Sequence, residues 1–272
     1  MVELICDKAQ SLKEFTENNY AQASFYWDWL LKNKEIKVNG KKVGEDTLLQ
    51  EGDTVRYYLT KKQEEKPAFY TVYKDDNFYI VDKESGVNAE AVFAELHRRT
   101  GGRCAFIHRL DRNTRGLMAF ARNAQTEKEL LCAFKERRVE KRYHALCFGR
   151  FAKQTAVLTA YLKKDERNAL VKIYDKETAG AEKIITEYQV LESDGETTKT
   201  EIILHTGKTH QIRAHLAFNG NPIVGDMKYG DTKKNREKNI TRQCLVAKEL
   251  TFELNGELSY INGKKFISQF EV

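Results

Sequence analysis

Apolar positions recur with two different periods along the chain, and one charged stretch, KKQEEKPAF (residues 61–69), follows neither. Ahead of it, Phe25, Trp27, Trp29 and Leu30 stand at helical spacing within ASFYWDWLLKNK. The pieces EIKVNGKKV and EGDTVRYYL then alternate as short strands, with a hairpin turn at Asn39-Gly40 and a turn at Gly52-Asp53. The order predicted for residues 1–60 is helix, helix, then short strands.

Behind the charged stretch, strands and helices alternate. FYTVYKDDNFYIVDKES reads as two strands around Asp75-Asp76-Asn77. NAEAVFAELHRRT and NAQTEKELLCAFKERR read as helices capped at Asn88 and Asn123. RCAFIHRL, GLMAFAR, KRYHALCFGR, AVLTAYLKK, KIITEYQVLES and KTEIILHT read as strands. THQIRAHLAFNG reads as an amphipathic helix closed by Gly220. The pattern predicts an α+β protein with a mixed, largely antiparallel sheet flanked by helices. It also predicts a small N-terminal α/β domain at residues 1–60, a linker at 61–68 and a larger domain at 69–272.

Composition adds little to this picture. The 272 residues are 41% hydrophobic and 32% charged, with a net charge of +6. That balance fits an anionic partner and is also common in ordinary soluble proteins. The five cysteines are scattered and odd in number, which points to reduced thiols in a cytoplasmic protein, not to a disulfide framework or a zinc site. No signal peptide and no membrane span are expected.

The candidate chemistry lies in three windows. In FIHRLDRNTRGLMAFAR one carboxylate, Asp111, stands among Arg109, Arg112 and Arg115. A carboxylate beside guanidinium groups is held as the anion, which suits a nucleophile or a base and not a general acid. An ion-pair network at the surface gives the same local pattern. In HTGKTHQIRAHLAFNGNPIVGDMKYG, the GKT is not the end of a phosphate-binding loop, because Ile202 stands where its first glycine belongs. His205, His210 and His215 are five apart, so on a helix each turns about 140° from the last and the three share no metal-binding face. Arg213 lies between apolar neighbours and needs an anionic partner, yet no acid stands within ten residues of it. In KRYHALCFGR, Tyr143 is either a core residue or a platform for a base.

HRLDRNTRGL, KRYHAL and GKTHQIRAHL…NPIVGDMKYG occur in that order, and together they resemble the motifs of the RluA-type RNA pseudouridine synthases. The resemblance covers roughly residues 69–230. It implies the pseudouridine synthase fold and isomerisation of uridine in RNA without a cofactor, a metal or a membrane. Asp111 then matches the catalytic aspartate, Tyr143 the tyrosine that packs on the target uracil, and Arg213 the arginine that pairs with the catalytic carboxylate. Arg109, Arg112, Arg115, Lys141, Lys208 and His210 become candidate RNA contacts. One departure from the family pattern is DKESGVNAEAV, beginning at Asp82, which lacks the usual proline and shortens the loop.

VNG, LLQEGD and TVRYYL in residues 1–60 resemble the small RNA-binding domain named for ribosomal small-subunit protein four. Lys37 and Lys41 are its candidate RNA contacts, although the region holds eight Lys and Arg against ten Asp and Glu, a net −2. Such a domain favours ribosomal RNA over transfer RNA as the substrate, and the family default is a monomer. An RNA-binding protein of the same fold without activity, and an RNA or nucleoside glycosidase, are the alternatives.

Overall fold

A computed structural model of the chain describes residues 1–165 and 170–272. The N-terminal region comprises β1 (Val2–Ile5), β2 (Gln10–Ser11), α1 (Leu12–Asn19), α2 (Ala21–Phe25), α3 (Trp27–Lys32), β3 (Ile36–Val38), β4 (Lys41–Val43), β5 (Leu48–Leu49) and β6 (Thr54–Tyr57). Its sheet runs β1-β6-β3-β4, all antiparallel. The Asn39-Gly40 turn has both residues at positive φ, as a two-residue hairpin of this type requires. Two details differ from the sequence pattern. β1 precedes the helices, and its alternating half-exposed residues gave it little apolar signal. The helical stretch at 23–34 breaks at Tyr26, whose φ of −114° and ψ of 22° separate α2 from α3.

The segment expected to be a linker holds a helical turn, α4 (Lys61–Glu64). Thr60 and Gln63 close it with a reciprocal capping box. Further along, Lys66 sits over the Phe25 ring at 3.9 Å, and its carbonyl accepts from Gln22 Nε2. The segment is therefore packed against α2 and is not a free tether.

The larger region contains β7 (Phe69–Lys74), β8 (Phe78–Lys83), α5 (Ala89–Arg99), β9 (Ala105–Phe106), β10 (Arg115–Ala121), α6 (Ala124–Lys135), β11 (Val139–Phe148), β12 (Thr155–Asp165) and β13 (Leu170–Tyr174). Then follow β14 (Glu182–Ser193), β15 (Thr197–Leu204), α7 (Gln211–Phe218), α8 (Thr232–Glu237), β16 (Leu245–Phe252), a 3-10 turn at Gly256–Ile261 and β17 (Lys265–Ile267). Eleven strands form one sheet with the path β13-β12-β14-β15-β11-β16-β10-β8-β7, while β9 pairs with β10 and β17 with β16. Among the described residues only the β10–β16 pair is parallel, so the sheet is mixed and largely antiparallel.

β10 is buried along its whole length, which explains its unbroken apolar run. Its alternate residues feed two cores. Met118 and Phe120 join Val81, Val92 of α5, Tyr143 and Ile212 on one face. Leu117, Ala119 and Ala121 join Ile80, Leu130 of α6 and Phe252 on the other. The N-terminal region has its own core around Leu12, Phe15, Leu30 and Tyr57. Ala21 and Phe25, however, pack into the first core of the large sheet.

Gly116 fixes the end of the loop that carries Asp111. Its φ is +114°, and a Cβ there would lie 2.3 Å from the Ala247 carbonyl oxygen in the parallel β16. Gly116→Ala is expected to destabilise the protein by about 3 kcal/mol through backbone strain and overpacking. Chemical denaturation measures this, and a loss under about 1 kcal/mol would mean the strands can separate cheaply here.

Candidate active site

The three sequence windows converge on one cleft of about 300 Å³. The loop between β9 and β10 contributes His108, Arg109, Asp111 and Thr114 to its lining. β11 contributes Lys141 and Tyr143, the turn into α7 contributes Lys208 and His210, and α7 itself contributes Arg213. Asp111 is the only carboxylate among the described residues that line it.

The Asp111–Arg213 contact implied by the resemblance is present, with Arg213 Nη1 donating to Asp111 Oδ2 at 2.9 Å. Arg213 has a second partner, 13 residues further along the chain. Its Nε donates to Asp226 Oδ2 at 2.6 Å and its Nη2 to Asp226 Oδ1 at 3.1 Å. Asp226 is 1% exposed, and its Oδ1 also accepts from the backbone amides of Lys228 and Tyr229. Gly225 makes this possible: a Cβ at its φ of +77° would meet the Arg242 carbonyl oxygen at 1.9 Å. Asp226 is thus the anchor that aims Arg213 at Asp111. Burial disfavours the Arg213 charge, but hydrogen bonds and charge from Asp226, then from Asp111, outweigh it and raise its pKa above the ordinary arginine value.

α7 departs from the expected amphipathic helix. It starts at Gln211, and Gln211 through Leu216 are all buried. Gln211 accepts from Thr206 Oγ1 and Lys208 N while donating to Ile185 O and Thr186 Oγ1, which ties the turn to β14. His210 caps the helix in the left-handed region at φ 55°. Its Nδ1 lies 2.9 Å from Tyr229 Oη, and its Nε2 lies 4.0 Å from Asp111 Oδ2. Tyr229 Oη accepts from Val171 N, so its own proton is available to His210 Nδ1. With Tyr229 as the donor to Nδ1, the neutral ring carries its proton on Nε2, the side that faces Asp111. Burial first, with Arg213 and Lys228 adding, lowers the His210 pKa against the pull of Asp111, so at neutral pH it is a neutral ring and not a cation for phosphate. His215 is buried against Thr186, and His205 is bonded to Glu187.

Tyr143 is 8% exposed, on the face of β11 that looks into the first core and the cleft. Burial, then the Asp111 charge, raises its pKa, so the phenol stays protonated at physiological pH. Lys141, two residues earlier, enters the same cleft and lies 5.7 Å from the Phe134 ring centroid. Burial and Arg137 lower its pKa. His108 stacks on Phe134 at 4.6 Å and accepts from Ala119 N. Burial lowers its pKa to about 3, so it is a neutral, structural part of the wall.

The arginines around Asp111 do not act as a set. Arg109 is exposed at the cleft and pairs with Glu90 at 3.0 Å. Arg112 turns the other way, to Glu17, Ser24 Oγ and the Gly86 carbonyl. Arg115, expected to contact RNA, is 8% exposed and lies over the Phe270 ring at 4.4 Å while donating to Glu271 O. It shares the β10 face of Leu117 and Ala119, so the pleat directs it away from the cleft. The Asp82 segment is likewise structural: Asp82 accepts from Ser268 Oγ and Gln269 N, holding the C-terminal residues. Lys37 and Lys41 lie apart from the cleft, on the β3–β4 hairpin. Among the described residues no group of three or more His, Cys, Asp or Glu is arranged to hold a metal, and no helix is long and apolar enough to cross a membrane.

The known proteins that the chain is similar to carry one class of name. The family model described as RNA pseudouridylate synthase matches residues 64–218. The ribosomal large subunit pseudouridine synthase C of Vibrio cholerae serotype O1 is 30% identical over 228 residues, 75% of this chain and 71% of that protein. The same-named protein of Rickettsia conorii is 30% identical over 74% of this chain and 75% of its own. Human RNA Pseudouridylate Synthase Domain Containing 1 superposes with a TM-score of 0.61 at 28% identity, over 69% of this chain and 79% of its own. The chain belongs to the RluA-type RNA pseudouridine synthases, and it is an isomerase acting on RNA.

Proposed function

We propose that the cleft isomerises uridines of large-subunit ribosomal RNA, with Asp111 as the catalytic carboxylate, Tyr143 as the surface against the extruded uracil, and Arg213 as the group that orients Asp111. The observation that carries this reading is the single carboxylate of the cleft, aimed by an arginine that Asp226 fixes from behind. The target atom lies inside a base stack, so the nucleotide must be flipped out before chemistry. The bond between C1′ and N1 breaks, the uracil turns, and C5 joins C1′. The proton lost from C5 is matched by one gained at N1, so no oxidant, energy donor or cofactor is required. Asp111 serves either as the nucleophile at C1′ or as the base for the 2′ proton; the protonated phenol of Tyr143 first needs a base of its own before it can assist at C5. Asp226 is engaged with Arg213 and two backbone amides, and among the described residues no second carboxylate lines the cleft for the paired-acid chemistry of a glycosidase.

The names of the similar bacterial proteins favour ribosomal over transfer RNA. The N-terminal region supports the same choice as a domain like that of ribosomal small-subunit protein four. In its sheet Lys37 stands directly opposite Lys42 on one side and Arg56 on the other, a local row of cations within a net-acidic unit. The protein would work as a monomer in the cytoplasm, where ribosomal RNA is processed. At the cleft, Arg109, Lys141 and Lys208 are the cations placed to meet phosphates.

Two measurements test this. Isolated ribosomal RNA and transfer RNA are offered separately, and modification of the transfer RNA alone would overturn the substrate assignment. Neutralising Lys141 and Lys208 together is expected to lower the slope of log affinity against log salt by about 2, one for each phosphate contact. An unchanged slope would remove both residues from the RNA path.

A further inference from the structure

Arg112 follows Asp111 directly, yet its side chain is bound mainly by the N-terminal region. Nη1 pairs with Glu17 of α1, and Nη2 donates to Ser24 Oγ of α2 at 3.3 Å. Nε donates to the Gly86 carbonyl at 3.1 Å. The backbone of the same residue is held as well: Arg112 O accepts from Lys83 Nζ at 3.0 Å and from Gly86 N at 2.9 Å. Lys83 is fully buried and spends its other two bonds on the Glu84 and Val87 carbonyls. The Asp111 carbonyl accepts from Thr114 N, and Thr114 Oγ1 accepts from Gln243 Nε2. The loop has little slack on either side of Asp111.

Further contacts press the N-terminal region against this segment. Asn88 Nδ2 donates to Asn18 Oδ1 at 3.0 Å, leaving the α5 cap without a side-chain bond. Phe25 faces Gly86, where an added Cβ would come within 3.9 Å of the ring. Ala21 is buried in the core that holds Tyr143 and Ile212. A planar guanidinium with three different acceptors fixes direction as well as distance, which a lone surface ion pair does not.

We infer that Glu17 and Arg112 form a positioning clamp through which the N-terminal region sets the place of Asp111, so that this region governs the rate of turnover as well as RNA affinity. The inference rests on Asp111 being the catalytic carboxylate. Arg112 is a positioning residue in it and does not touch RNA. The clamp binds no ligand of its own: its chemistry is a charge pair whose loss moves the adjacent carboxylate.

The test uses the full chain, because Ala21 and Phe25 belong to the large core and a truncation would disrupt it. Glu17→Arg, Arg112→Glu and the exchanged pair are compared by single-turnover pseudouridine formation at saturating RNA, by RNA affinity and by thermal melting. Each single charge reversal is expected to slow the single-turnover rate about 10²-fold, the cost of a misplacement near 1 Å, with affinity changed less than about threefold. The exchanged pair is expected to recover to within about tenfold of wild type. Glu17→Gln and Arg112→Lys, assayed well below their melting temperatures, keep the result readable if a reversal fails to fold, and they too should slow the single-turnover rate. Loss of RNA affinity at an unchanged saturated rate, without recovery in the exchanged pair, would make Arg112 a phosphate contact and overturn the clamp. Lower melting temperatures with unchanged rates would make the contact merely structural and also overturn it. Full activity of Asp111→Asn would instead overturn the assignment of Asp111 itself, a result separate from either.

Discussion

Asp111→Asn is expected to remove pseudouridine formation, slowing the single-turnover rate by at least about 10²- to 10⁴-fold. The amide keeps the size of the carboxylate and can still accept from Arg213 Nη1, so the cleft keeps its shape. Arg213 retains Asp226 as a charged partner, and the Asp111 side chain is 22% exposed, so the fold loses little. RNA affinity should stay close to wild type, because the cations of the cleft are untouched. What disappears is the ability to attack C1′ or to take the 2′ proton, and an amide does neither at neutral pH. A variant with more than about a tenth of the wild-type rate would show that the carboxylate has no chemical role.

Asp226→Ala is expected to cost about 3–5 kcal/mol of stability, since it strips a buried arginine of its main counter-charge. The Arg213 and Asp226 side chains are 6% and 1% exposed, so solvent offers little compensation. The Lys228 and Tyr229 amides lose their acceptor in the same step. Activity should fall even in the folded fraction, because Arg213 is then free to turn away from Asp111. Denaturant midpoints measure the first effect and single-turnover rates at low temperature the second. A variant stable to within about 1 kcal/mol of wild type would contradict the anchor role. The pair also sets a limit at acid pH. Burial alone raises the Asp226 pKa, but Arg213 and the two amides outweigh it and hold it below its usual value of 3.8. A depressed folded pKa stabilises the protein above the unfolded value, and that contribution is lost as pH falls through the folded one. The loss therefore begins below about pH 4.

The sheet was legible where apolar runs were long. β10, β11, β14 and β15 follow their patterns, and the turns at Asn39-Gly40 and Asp75-Asn77 carried their own chemistry. β1 and the break at Tyr26 were not legible, because one is half-exposed and the other depends on how α2 and α3 pack. At the site, the motif order placed Asp111, Tyr143 and Arg213 in one cleft. Asp226 lies 13 residues from Arg213 and only the fold joins the two, although a glycine directly before it is the mark of a tightly held backbone. The arginines beside Asp111 were the least legible. Arg115 had a signal in the two-residue period of β10, which puts it on the face of Leu117. Arg112 had none, since Glu17 lies 95 residues away and only the tertiary fold brings it there.

The central claim is isomerisation at a lone, arginine-held carboxylate. The most direct measurement incubates the wild-type chain with ribosomal RNA carrying tritium at C5 of uridine and follows both released tritium and free uracil. Tritium release that matches pseudouridine formed, with no free uracil and none of either from Asp111→Asn, is the predicted result. Free uracil appearing in step with turnover, or RNA binding without any tritium release, would contradict it.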